Sequence, residues 1–148
     1  MKKLIPFLIL VFVFPIISAE RSGRDEIFEK HVWKQIYDEY SFDPGIIEVL
    51  KTKTDKLITV KIYFAFWCGD SENNVPPLMR ILDEMGVERA QVNYFNVNRK
   101  QSGEKYYFEK LNVLRIPTFI FFKDGKEIGR IVENPKKTLE EDLLEILF

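Results

Sequence analysis

One cysteine, Cys68, and one histidine, His31, are all the sulfur and imidazole that 148 residues supply for catalysis or metal binding, apart from thioethers. That pair is too small a donor set for zinc, which takes three or four His, Cys or carboxylate ligands, so neither a metal nor another cofactor is expected. A lone cysteine also excludes an internal disulfide framework. An excess of either charge is missing as well. Lys and Arg number 22 against 23 Asp and Glu, which leaves no basic surplus to hold a nucleic acid. No Gly-rich phosphate loop, no G-x-S-x-G elbow, no internal repeat and no low-complexity tract occurs. Apolar residues, at 46%, and aromatics, at 14%, are plentiful. The chain can therefore bury a core, and its length fits one domain.

The N-terminal apolar run, Leu4–Ile17, is too short to cross a bilayer comfortably. It spans 14 residues and contains Pro6 and Pro15, whereas a spanning helix needs about 20. Lys2 and Lys3 precede it, and Ser18 and Ala19 follow. This is the three-part layout of a secretory leader. Residues 1–19 are read as a signal peptide cut after Ala19, although Ile17 is bulkier than the small residue usual three positions before a cut. An uncleaved membrane anchor is the alternative, and a membrane partner is expected only in that case. Cleavage leaves 20 basic residues against 23 acidic. The protein is expected to be exported, periplasmic or extracellular, into an oxidising space where thiols meet disulfides.

Residues 20–56 read as a helical N-terminal extension packing on the domain that follows. In "RDEIFEKHVWKQIYDEY", Ile27, Phe28, Val32, Trp33, Ile36, Tyr37 and Tyr40 recur at helical spacing. "SFDPG" is a turn, and "IIEVLKTKT" is a second short helix. The Trp33 and Tyr37 stripe is read as core covering one side of a sheet.

From Leu57 to Phe148 the pattern changes. "LITVKIYFAF" is β-branched, aromatic and continuous, as a strand buried on both faces must be. "SENNVPPLMRILDEMG" is a helix with Leu78, Ile81, Leu82 and Met85 inward, stopped at Gly86. "QVNYFNV" is a strand, and "GEKYYFEKLNV" a short helix with Tyr107, Phe108 and Leu111 inward. Asp124-Gly125 joins two strands as a hairpin, and "KKTLEEDLLEILF" closes as an amphipathic helix. The order β-α-β-α-β-β-α predicts an α/β fold. Its four-stranded mixed sheet, flanked by helices, has a parallel first pair and an antiparallel final hairpin.

Three motifs in this order resemble the thioredoxin superfamily. "WCGDS" (67–71) stands where that family has W-C-G-P-C, "RIPTF" (115–119) where it has its cis-proline loop, and "FFKDGKEIGRIVE" where it has its last hairpin. Within that superfamily, the chain resembles a bacterial group with a single-cysteine W-C-G-D-S motif. The resemblance implies a thioredoxin-like fold over residues 57–148. It also implies Cys68 and Ser71 as the catalytic pair of positions, with Trp67, Gly69, Asp70, Ile116, Pro117 and Thr118 around the substrate. Pro117 has two readings, a proline opening a strand or the family's cis bond. The second brings Ile116 and Thr118 beside Cys68 and leaves backbone groups to dock an extended peptide.

Cys68 falls at a helix N-terminus, whose free N–H groups carry roughly half a positive charge and favour thiolate. The Ser71 hydroxyl, one turn on, can support the anion. Asp70 and Glu72 oppose it with negative charge. A buried aspartate and a lysine that move protons in the family correspond by alignment to Ile62 and Tyr94. Ser71 cannot resolve a mixed disulfide as a second cysteine does, so dithiol turnover is excluded for the isolated monomer. Monothiol glutaredoxins follow a similar logic, but their C-G-F-S signature differs. Two functions remain. One is monothiol exchange on cysteine-containing proteins or low-molecular-weight thiols, isomerase-like or as a reductase of small-thiol adducts. The other is a non-catalytic binding module that has lost dithiol redox cycling.

Overall fold

A computed structural model of the protein describes residues 20–53, 58–97 and 111–148. The leader and most of the helix expected around Tyr107 and Phe108 lie outside these residues.

The central strand β2 (Ile58–Phe64) is hydrogen-bonded on both sides, parallel to β3 (Val92–Asn96) and antiparallel to β4 (Thr118–Lys123). β5 (Lys126–Val132) completes the mixed four-stranded sheet as the hairpin partner of β4. Asp124 (φ 51°) and Gly125 (φ 74°) form the two-residue turn between them, in the left-handed conformations such a turn requires. A fifth strand joins at the far edge: β1 (Glu20–Ser22) pairs antiparallel with β3, giving the order β1-β3-β2-β4-β5. It had no sequence signal because three polar residues carry no alternation.

Val60, Ile62 and Phe64 turn to one face of the sheet, into the main core, whereas Tyr63 and Ala65 enter a smaller cluster with Val97, Val113 and Ile120. The main core is roofed by α4 (Gly69–Glu84) and α5 (Leu139–Leu147). Leu78, Ile81, Leu82 and Met85 are buried as the periodicity requires. Gly86 ends the helix at φ 79°. Thr138 and Glu141 close a reciprocal capping box at the start of α5.

The 24–40 segment is two helices rather than one, α1 (Arg24–Phe28) and α2 (His31–Glu39), with Lys30 in extended backbone between them. On one straight helix Ile27 and Trp33 would point about 120° apart; the break lets both be fully buried. Val32 falls outside the buried stripe and is exposed. With α3 (Pro44–Lys53), which buries Ile47 and Leu50, these helices share the main core with the sheet. α2 packs on α4, and α3 on α5.

A polar cluster fastens this arrangement. Arg24 pairs with Asp83 near the end of α4, and Tyr37 donates to the same carboxylate at 2.5 Å. The guanidinium also lies over the rings of Phe28 and Tyr37, at 4.8 and 5.4 Å. Burial works against the Arg24 charge, but Asp83 more than offsets it and the group titrates above its ordinary range. Tyr94 completes the cluster. Burial pushes its phenol up to about 12, although the nearby Arg24 guanidinium pulls the other way. The folded state therefore holds this proton more tightly than the unfolded chain does. Its contribution is intact below pH 10 and is lost as pH rises through about 12. Urea denaturation across that window should show falling stability. In Tyr94→Phe the fall should be smaller by about 2–3 kcal/mol.

Candidate active site

The site is built where β2 runs out. The N–H of Cys68 donates to Ala65 O (3.1 Å), and Cys68 O accepts from Glu72 N–H (3.0 Å). Cys68 is thus the N-cap of α4, with extended backbone, and its half-buried side chain lies at the helix end among free N–H groups. The Ile116–Pro117 bond is cis. The Cys68 thiol donates to Ile116 O at 3.7 Å. Two segments 48 residues apart thereby meet at the sulfur, and Ile116 packs against the same small cluster as Cys68.

Around this contact each neighbour has a distinct task. Trp67 is 40% exposed, yet its indole N–H donates to Val97 O (3.1 Å), which ties the ring to the end of β3. Gly69 and Asp70 are exposed in the first turn. Pro117 and Thr118 are buried, and the Thr118 hydroxyl donates to Arg115 O (2.6 Å). Glu133 braces the loop from β5's end: its N–H donates to Pro117 O (2.7 Å) and its carboxylate pairs with Arg115 (2.8 Å). This residue sits at φ 61°, a left-handed backbone that a non-glycine residue adopts at a cost.

Ser71 is fully buried, and its Oγ accepts the Ala65 N–H at 3.2 Å. Its bond runs to the strand end rather than to the sulfur. In this arrangement it closes the strand-to-helix loop, leaving the sulfur's own hydrogen bond to the Ile116 carbonyl, a contact that suits the thiol form. Ile62 and Tyr94 lie side by side on β2 and β3, both buried. With its phenol pushed up to about 12, Tyr94 adds no charge at neutral pH.

Several residues shape the site without a sequence signal for that role. Trp33 of α2 packs on Phe64 and Phe66 (centroids 5.6 and 5.2 Å) and donates its indole N–H to Glu72 in the first turn of α4 (3.1 Å). Lys30 lies 5.0 Å above the Phe66 ring. Asn74 donates to Asp70 O (2.9 Å) and to Asn134 Oδ1 (3.0 Å). The periodicity marked Trp33 as core but could not point to a partner 39 residues away. Among the described residues no three His, Cys, Asp or Glu side chains are grouped to hold a metal.

A thiol at the helix end after a central parallel strand, facing a cis-proline loop that opens an antiparallel hairpin, defines the thioredoxin-like class. The family described as Thioredoxin matches residues 21–144, and the chain belongs to it. The thioredoxin H-type 1 of Nicotiana tabacum is 28% identical, with 86% of this chain and 89% of that protein aligned. A thioredoxin-like protein of Acanthamoeba polyphaga mimivirus is 29% identical over 56% of this chain, which spans 58% of that protein's length. A crystal structure of a Pseudomonas aeruginosa protein of unknown function shares the fold (TM-score 0.54) at 12% identity, with 79% of this chain and 78% of that one covered.

The buried Ser71 contact can be tested directly. Ser71→Ala strips the Ala65 N–H of its acceptor in a site without solvent and should cost about 1–3 kcal/mol in urea denaturation. Were the hydroxyl idle in the fold, the substitution would be close to neutral.

Proposed function

We propose that this thioredoxin-like protein carries out thiol–disulfide exchange with Cys68 as its only thiol, on cysteine-containing proteins or low-molecular-weight thiols. The observation that supports this most is the placement of the chain's one cysteine at the α4 N-terminus, with Sγ 3.7 Å from the Ile116 carbonyl of the cis-proline loop. Cys68 gives its proton to solvent, and the thiolate attacks one sulfur of a disulfide. A bond forms between Sγ and that sulfur as the old S–S bond breaks. The departing thiolate carries away the electron pair and takes a proton from water. A second thiol, on the same substrate or another molecule, then releases the partner and restores Cys68. The cycle moves disulfides without net oxidation. Residues 1–19 fit a leader for export to an oxidising compartment, cleaved after Ala19 or kept as an anchor.

Ser71 favours one competing reading, a binding module that has lost redox cycling. Its hydroxyl is committed to the loop, and no second cysteine exists.

The two readings differ in what a disulfide reagent does. If Cys68 exchanges, bis(2-hydroxyethyl) disulfide should form a one-to-one adduct by mass spectrometry, faster with the folded chain than in denaturant, and added thiol should reverse it. Slower reaction of the folded chain, together with partner binding that survives Cys68→Ser, would instead establish the module. Ser71→Cys supplies the missing resolving thiol. It should shorten the lifetime of the adduct at least tenfold and leave an internal 68–71 disulfide.

A further inference from the structure

We propose that Asp70 makes Cys68 selective for disulfides that carry positive charge beside the reacting sulfur; the inference rests on the exchange reading above.

Asp70 and Glu72 are the two acidic residues in the first turn of α4, and they stand about 200° apart around the helix. The interior side of this pair is identified by Glu72, which turns towards α2 and takes the Trp33 indole N–H. Asp70 therefore faces the other way. Asn74, one turn later on that same stripe, bonds to Asn134, and the adjacent Glu133 bonds to Pro117 O. The Asp70 side of the helix is thus the side of the cis-proline loop, where Ile116 O meets the sulfur. A partner entering between α4 and this loop passes the Asp70 carboxylate.

Among the described residues no cation compensates that carboxylate. Among the described residues it forms no ion pair and no side-chain hydrogen bond, and it is exposed. The helix end supplies roughly half a positive charge against its full negative one. Arg115, the cation of the cis-proline loop, is paired with Glu133. Lys30 lies over Phe66, on the α2 side with Trp33 and Glu72. The W-C-G-P-C motif of the superfamily has an uncharged proline where Asp70 stands, so the dithiol relatives with that motif lack this charge. In water, a unit charge acting on a substrate charge at about 6–12 Å separates cationic from anionic partners by roughly threefold to tenfold in rate.

The test compares rates of mixed-disulfide formation by the full chain with cystamine, bis(2-hydroxyethyl) disulfide and dithiodiglycolate, which are cationic, neutral and anionic. The cationic-to-anionic rate ratio should be about three- to tenfold higher in the wild type than in Asp70→Asn at low salt, and the difference should shrink at about 0.5 M salt. Glu72→Gln makes the same change in charge on the opposite face and keeps an acceptor for Trp33; it should move the ratio by less than about twofold. Two peptides with a disulfide-capped cysteine, flanked by Lys or by Glu, separate the sources. A preference for the Lys peptide places the charge on polypeptide substrates, and one seen with cystamine alone places it on small thiols. A ratio that Asp70→Asn leaves unchanged, or that Glu72→Gln moves equally, overturns the proposal while exchange stands. Failure of the neutral disulfide to react overturns the exchange reading itself, and the selectivity with it.

Discussion

A strand hydrogen-bonded along both edges and covered on both faces has no freedom left, and β2 is such a strand. Its neighbours β3 and β4 satisfy its backbone, while Val60, Ile62 and Phe64 on one side and Tyr63 on the other are buried. Burial of apolar area at roughly 25 cal/mol per Å² drives this arrangement. The demand that backbone polar groups stay paired sets its register. The chain must leave such a strand abruptly at its end, and Cys68 stands on that exit. The position of the thiol is therefore inherited from the most constrained element in the molecule.

The turn out of β2 is held by polar contacts of modest individual worth, about 1 kcal/mol each. The Cys68 N–H and the Ser71 hydroxyl attach the loop to Ala65. Trp67 attaches it to Val97, and Asn74 connects the helix to Asn134. On the opposite wall, Arg115, Thr118 and Glu133 brace the cis-proline loop. The sulfur is placed between two independently fastened segments. An exchange site needs this, because the attacking sulfur must line up with an S–S bond.

The helices before β2 are more than a covering. Trp33 occupies the main core and still reaches the first turn of α4, so the extension and the thiol's helix are joined at both ends of α4: Glu72 with Trp33, and Asp83 with Arg24 and Tyr37. The Asp83 cluster stays stable because each partner compensates another. Arg24 supplies the charge that Asp83 needs, and the Tyr37 hydroxyl takes up a further lone pair.

Local pattern was enough for the order of β2, α4, β3, β4, β5 and α5. β2 is an unbroken apolar run, α4 and α5 carry apolar residues every three to four positions, and Asp124-Gly125 suits only a tight turn. Cys68, the single sulfur, was visible at once, as was the loss of a resolving thiol at Ser71, because both are matters of residue identity. Contacts across long separations were not visible, since nothing in a linear pattern encodes which distant group a side chain will meet. The second strand neighbour of Tyr94, β1, is three polar residues paired with β3. The break at Lys30 follows from burying both Ile27 and Trp33, a requirement that arises only once the sheet is beneath them. Ser71 looked like a group for the sulfur, and packing turned its hydroxyl to Ala65 instead. Chemistry that depends on which residues exist was determined by the sequence alone. Which face Asp70 shows, and which carbonyl meets the thiol, were decided by the tertiary structure, because direction and distance exist only after the chain has closed on itself.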